Sequence, residues 1–97
     1  MTGPDWDEWD EEEYAGCLAG ERRRFAWVMR RYGGLTPAQA ESAAVKRYPY
    51  QARGVPFRGL IFHHQAWTWA MREIYGHFYG REHPDLVLPS AEYWALN

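Results

Sequence analysis

Between Arg22 and Tyr32 the chain reads RRRFAWVMRRY, five arginines around a single tryptophan. Written as a helix, this stretch puts Arg23 and Arg24 one turn before Trp27, and Arg30 and Arg31 one turn after it. Every helical neighbour able to touch the indole is then a guanidinium. Burying even one unpaired charge costs several kcal/mol, so Trp27 is expected to stay at least partly exposed. The chemistry implied is recognition without turnover. Trp27 would anchor an acidic or anionic partner, and Arg23, Arg24, Arg30 and Arg31 would form the charged rim. A competing account has the guanidiniums stack on the indole while the acidic N-terminus or the C-terminal segment covers the patch. A third extends the basic face through Lys46, Arg47 and Arg53 to bind nucleic acid by its phosphates. The position of the acidic N-terminus discriminates among them.

Histidines are the next candidates. A helix over HHQAWTWAMREIYGH turns the adjacent His63 and His64 about 100° apart and sets His77 about 20 Å along the axis from His63. Only Glu73 and His77 share a face at i,i+4, with His83 reachable from a loop, and two ligands do not make a zinc site. No metal or cofactor is expected. Cys17 is the single cysteine, so no internal disulfide or CxxC knuckle can form. A reduced, cytoplasmic setting and an inert thiol follow more simply than a Cys–His nucleophile pair. Gly33-Gly34 lacks the spacings of phosphate-binding loops. The acidic run 10–13 lacks a calcium loop's ligand spacing. No catalytic residue is assigned.

Charge is sharply segregated. Residues 1–21 carry eight acids and no Lys or Arg, whereas 22–72 carry ten bases against Glu41 alone. The last 25 residues carry four acids and Arg81, leaving a net charge of −2. Such asymmetry implies a charged partner or internal pairing between the regions. The N-terminus has no basic and apolar leader pattern, and no apolar run is long enough to span a membrane. A homo-oligomer is compatible with this composition.

The elements that must position these residues read as helices, and the length suits one domain over 1–97. The first six residues are expected to fray. A helix is predicted from Asp7 to Tyr32, with Tyr14, Leu18, Phe25, Val28 and Tyr32 as its inner stripe. Gly16 and Gly20 weaken it, inviting a break near Gly16, and Gly33-Gly34 ends it. Thr36, Pro37 and Gln39 form a capping box with proline at the first helical position. The helix it starts runs to Tyr48, is lined by Ala40, Ala43 and Ala44, and is stopped by Pro49.

A third helix is predicted over 57–79. Its seam is Leu60, His64, Trp67, Met71, Ile74 and Phe78. Phe62 and Trp69 fall on its opposite face, which would make it the central helix. REHPDLVLP then crosses in extended form. Ser90 caps a last turn, from which Tyr93, Trp94 and Leu96 seal the core. The class is all-α: two long helices, one short helix and a C-terminal turn.

Glu12-Glu13-Tyr14, Glu21-Arg22, Tyr32-Gly33-Gly34-Leu35-Thr36 and Ala40-Glu41 have a combined pattern that resembles helical hairpins of small proteins, and of primase-like tails, encoded by bacterial mobile elements. The resemblance covers 12–44 and departs from that pattern around Trp27. It implies a hairpin and no activity. The function expected from the residues is that of a small intracellular binding or accessory protein using the Trp27 patch. Nucleic-acid binding by the basic face of residues 22–53 is the alternative.

Overall fold

The computed structural model describes residues 10–96. They form five helical elements and no strand: α1 (Glu11–Gly33), α2 (Pro37–Arg47), α3 (Ala66–Tyr75), α4 (Tyr79–Glu82) and α5 (Ala91–Trp94). The expected fraying of residues 1–6, and any structure over 7–9, lie outside the described residues.

α1 begins at Glu11 because Asp10, in extended conformation, caps it and accepts from the Glu12 N–H. Three glutamates in the first turn and two arginines in the last suit the helix dipole. The expected break at Gly16 does not occur. The Arg24 guanidinium lies 3.0 Å from where a Cβ on buried Gly20 would stand, so the missing side chain at Gly20 is filled by the pair Arg24–Glu21, 2.9 Å apart. Gly34 ends the helix in the left-handed region, φ 72°, and donates to the Met29 carbonyl.

Both halves of the capping box are made: the Gln39 N–H donates to Thr36 Oγ1 and the Thr36 N–H to Gln39 Oε1. α2 then turns back along α1, giving the hairpin implied over 12–44. Ala40 and Ala44 face α1 fully buried, and their small side chains let the two axes approach.

The third helix is shorter than its apolar spacing predicts. Phe57 and Gly59 take positive φ, 59° and 86°, so no helix can run through them. A 3₁₀ turn, Leu60–His63, follows. His64 and Gln65 are extended, and α3 starts only at Ala66. Gly76, at φ 101° and ψ 166°, ends it. Trp67 and Met71 are inaccessible to solvent and Ile74 packs on Gly33. Leu60 and Phe78, the ends of the predicted seam, are off the helix and 54% and 67% exposed. Phe78 is therefore not a core residue. Phe62 and Trp69 are half-buried against the core, but on different elements. The central helix is α1, which packs against both α2 and α3.

Residues 81–89 are not simply extended. α4 and a 3₁₀ turn, Pro84–Leu86, bend the chain so that the Leu86 carbonyl accepts from Trp67 Nε1 at 2.8 Å. Ser90 caps α5 as predicted. Tyr93 seals the core beside Trp67, with rings 5.5 Å apart, and Leu96 packs on its edge. Trp94 does not, being 59% exposed. No helix among the described residues is long and apolar enough to cross a membrane.

Candidate functional site

Ala19, Arg23, Ala26, Trp27 and Arg30 form one stripe of α1, spaced by three, four and seven residues as a helix requires. This stripe faces away from the buried one of Tyr14, Leu18, Phe25, Val28 and Met29. Across from it stand Pro37, Glu41 and Val45 of α2, with Ala44 beneath them. The two helices thus bound an open groove of about 690 Å³, closed at one side by Leu96. A second depression of about 350 Å³ adjoins it, sharing Trp27, Arg30 and Pro37 and adding Arg31 and Leu35.

Trp27 is half-buried. Its ring meets Tyr32 edge-on at 6.4 Å, Tyr32 in turn meets Trp67 at 5.3 Å, and the contact runs on into the core. The indole is therefore rooted on one side and open on the other. No arginine among the described residues stacks on it. The cations over rings are Arg31 on Tyr32, Arg47 and Arg72 on Trp69, Arg58 on Tyr14 and Tyr50, and Arg81 on Phe78.

The predicted ring of four arginines separates into three kinds. Arg23 and Arg30 are exposed, line the groove and have no ion pair among the described residues. Arg31 is exposed and lies 3.6 Å from Glu92. Arg24 turns away from the groove to Glu21, and both side chains are largely buried. Burial is the largest single influence on Arg24 and opposes its charge. The hydrogen bond and charge of Glu21, with smaller help from Tyr93 and Cys17, together outweigh it and raise the pKa above the ordinary arginine value.

Lys46, Arg47 and Arg53 are not brought together with that patch. Lys46 lies beside Glu73 of α3, on the other flank of α2. Arg47 lies 4.6 Å over Trp69. Arg53, in the loop after α2, contributes to the field at Glu11. The described part of the acidic N-terminus does not reach the arginines either. Asp10 caps α1 and Glu11 pairs with Arg58. Both sit at the opposite end of α1 from Arg30, about 28 Å away by helical rise. Asp5, Asp7 and Glu8 lie outside the described residues.

Two arginines carry structure that the sequence does not announce. Arg22 donates from Nε and Nη2 to the Tyr48 carbonyl, at 2.9 and 2.7 Å. That carbonyl closes α2, where backbone acceptors lack helical partners. Arg58 has no solvent exposure. It donates to the Gln51 carbonyl, to Glu11 and to the Tyr50 hydroxyl, and lies 3.8 Å over the Tyr14 ring. Gln51 completes the cluster: its N–H donates to the Tyr14 hydroxyl and its Oε1 accepts from the Gly59 N–H. The whole loop from Pro49 to Gly59 is thereby strapped to the start of α1.

The histidines are scattered among aromatic rings. His64 lies on Trp69, His77 on Phe78 and His83 on Tyr75. No three potential metal ligands converge among the described residues. Cys17 is half-buried and unpaired, with burial and the Glu21 charge pushing its pKa up, which disfavours the nucleophilic thiolate. No protein-family model, curated protein or solved structure matches this chain.

Proposed function

We propose that the protein is a non-catalytic binding or accessory protein that holds an acidic or anionic protein partner in the α1–α2 groove. Trp27 is the apolar anchor, and Arg23 and Arg30 are the charged rim. One observation carries this reading: a rooted, half-open tryptophan stands in a groove between two exposed arginines that make no ion pair with any described acid, Glu41 standing on the opposite wall. The expected site narrows accordingly. Arg31 contributes at the margin, shared with Glu92, and Arg24 serves the fold. A lone cysteine with no internal disulfide partner suits the reducing cytoplasm in which we place the protein.

Nucleic-acid binding has less support, because the bases of residues 22–53 point to several sides and four of them, Arg22, Arg24, Arg31 and Arg47, are engaged internally. The test is affinity capture from native lysate, with and without nuclease, followed by reconstitution of the captured species with purified protein. Wild type is compared with the Arg23→Glu/Arg30→Glu variant. A nuclease-insensitive protein lost with the variant is expected. A signal abolished by nuclease, or unchanged by the variant, would overturn the reading.

A further inference from the structure

We infer that the occupant of the α1–α2 groove is a short amphipathic helix of a partner protein, with acidic side chains about two turns apart flanking a leucine-sized apolar one. This deepens the proposed function and rests on it. The chain's own C-terminal turn displays the chemistry in miniature. Glu92 sits 3.6 Å from Arg31, and Leu96, four residues on, lines the groove with Trp27. Glu92, on α5, and Leu96, two residues past its end, thus present an acid to a guanidinium and a leucine to the groove that Trp27 also lines, from one short C-terminal segment.

The remainder of the groove repeats those features without an occupant from the described residues. Arg23 and Arg30 are seven residues apart, so they stand on one face of α1 about 10 Å from each other. Trp27 lies between them. A helix laid along the seam would meet both arginines with acids at i and i+7 and the indole with an apolar residue at i+3 or i+4. The exposed Ala19 and half-buried Ala26 keep the α1 wall of the groove low enough for a third helix to approach. Glu41, the one acid lining the groove, is on the α2 side. The acidic edge of the occupant therefore faces α1.

Two fluorescein-labelled peptides of about 15 residues, long enough to hold some helix in water, test this on the full chain. Both have the same Glu, Leu and Ala composition. One carries the i, i+4, i+7 pattern and the other has it scrambled. Fluorescence anisotropy is expected to show saturable binding of the patterned peptide, at least about tenfold tighter than the scrambled one. Arg23→Glu/Arg30→Glu should weaken it by about tenfold or more. A patterned peptide with Lys for Glu should recover binding to that variant. Equal binding of both peptides would overturn the helical occupant and leave the proposed function standing. Failure of both to bind would overturn the two together. Far-UV circular dichroism of the variant confirms that its fold is intact.

Discussion

Trp27 is enclosed on the side of Tyr32 and open on the side of the groove, so its truncation has two separable consequences. Trp27→Ala should cost about 1–2 kcal/mol in a denaturant melt, below the roughly 3–5 kcal/mol typical of a fully enclosed Trp. The same change should weaken partner binding by about 2 kcal/mol or more, as removal of a hot spot does. A melt loss equal to that of Trp67→Ala would make Trp27 a core residue instead. Glu11 yields a pH prediction. Hydrogen bonds from Arg58 and then from Tyr50 hold its carboxyl below the ordinary value of 4.5. A carboxylate depressed in the folded state contributes stability that is fully present above its unfolded pKa and lost as pH falls through the folded one. Glu11→Gln should therefore melt lower than wild type at neutral pH, and the two curves should converge as pH drops below about 4.5. A gap persisting at strongly acid pH would assign the effect to packing. The Trp27 environment is legible in sequence because all its helical neighbours lie within four positions. Arg58 is not, since its partner Glu11 is 47 positions away and the apolar spacing places it at the start of a helix that does not form there.

The same division between near and far holds for whole elements. The α2 start is legible because Thr36, Pro37 and Gln39 complete their hydrogen bonds among themselves. Thr36→Ala should lower stability by about 1 kcal/mol, read as a shift of the urea midpoint at unchanged m-value. An unchanged midpoint would mean that packing on α1 alone holds that end of α2. α3 is misread for a converse reason. Its apolar spacing continues through segments whose backbone leaves the helical region, so periodicity alone extends the helix across Phe57, Gly59 and Gly76. Of the three, Phe57 is the hardest to foresee, because a bulky residue rarely adopts positive φ. Gly76 occupies a region that suits glycine almost alone. Gly76→Ala should cost about 1–3 kcal/mol in a thermal or chemical melt. If the substitution instead stabilised the chain and raised its helicity, the break after α3 would be a property of glycine's flexibility and not of the fold.

Across the whole molecule, the charge segregation of the sequence resolves into internal use and remainder. Arg24 answers Glu21, Arg58 answers Glu11 and Arg31 leans on Glu92, while Arg22 closes α2. Internal pairing therefore accounts for part of the asymmetry: acids and bases from distant segments pair, and a few bases are left over. Arg23 and Arg30 are left on the groove, and Lys46 on the far flank of α2 beside Glu73. Because the first two are exposed and unpaired among the described residues, reversing Arg23 should change folding stability by no more than about 0.5 kcal/mol, and reversing Arg30, in the last turn of α1, should cost about 1 kcal/mol through the helix dipole. Their contribution to binding is long-range and screened by salt. The Debye length falls from about 30 Å at 0.01 M to about 8 Å at 0.15 M, so rim arginines act mainly on the association rate at low ionic strength. The association rate constant for the acidic partner should drop as salt rises in wild type. It should be lower and flatter with salt in Arg23→Glu/Arg30→Glu, with the dissociation rate changed less. Lys46→Glu carries the same charge change per residue but stands off the groove, so at 0.15 M salt it should leave the rate near wild type. Stopped-flow measurements of the three proteins over a salt series decide it. A Lys46→Glu loss per charge equal to that of the groove variant would mean that the partner senses only overall charge, and Trp27 would then have no special place in recognition.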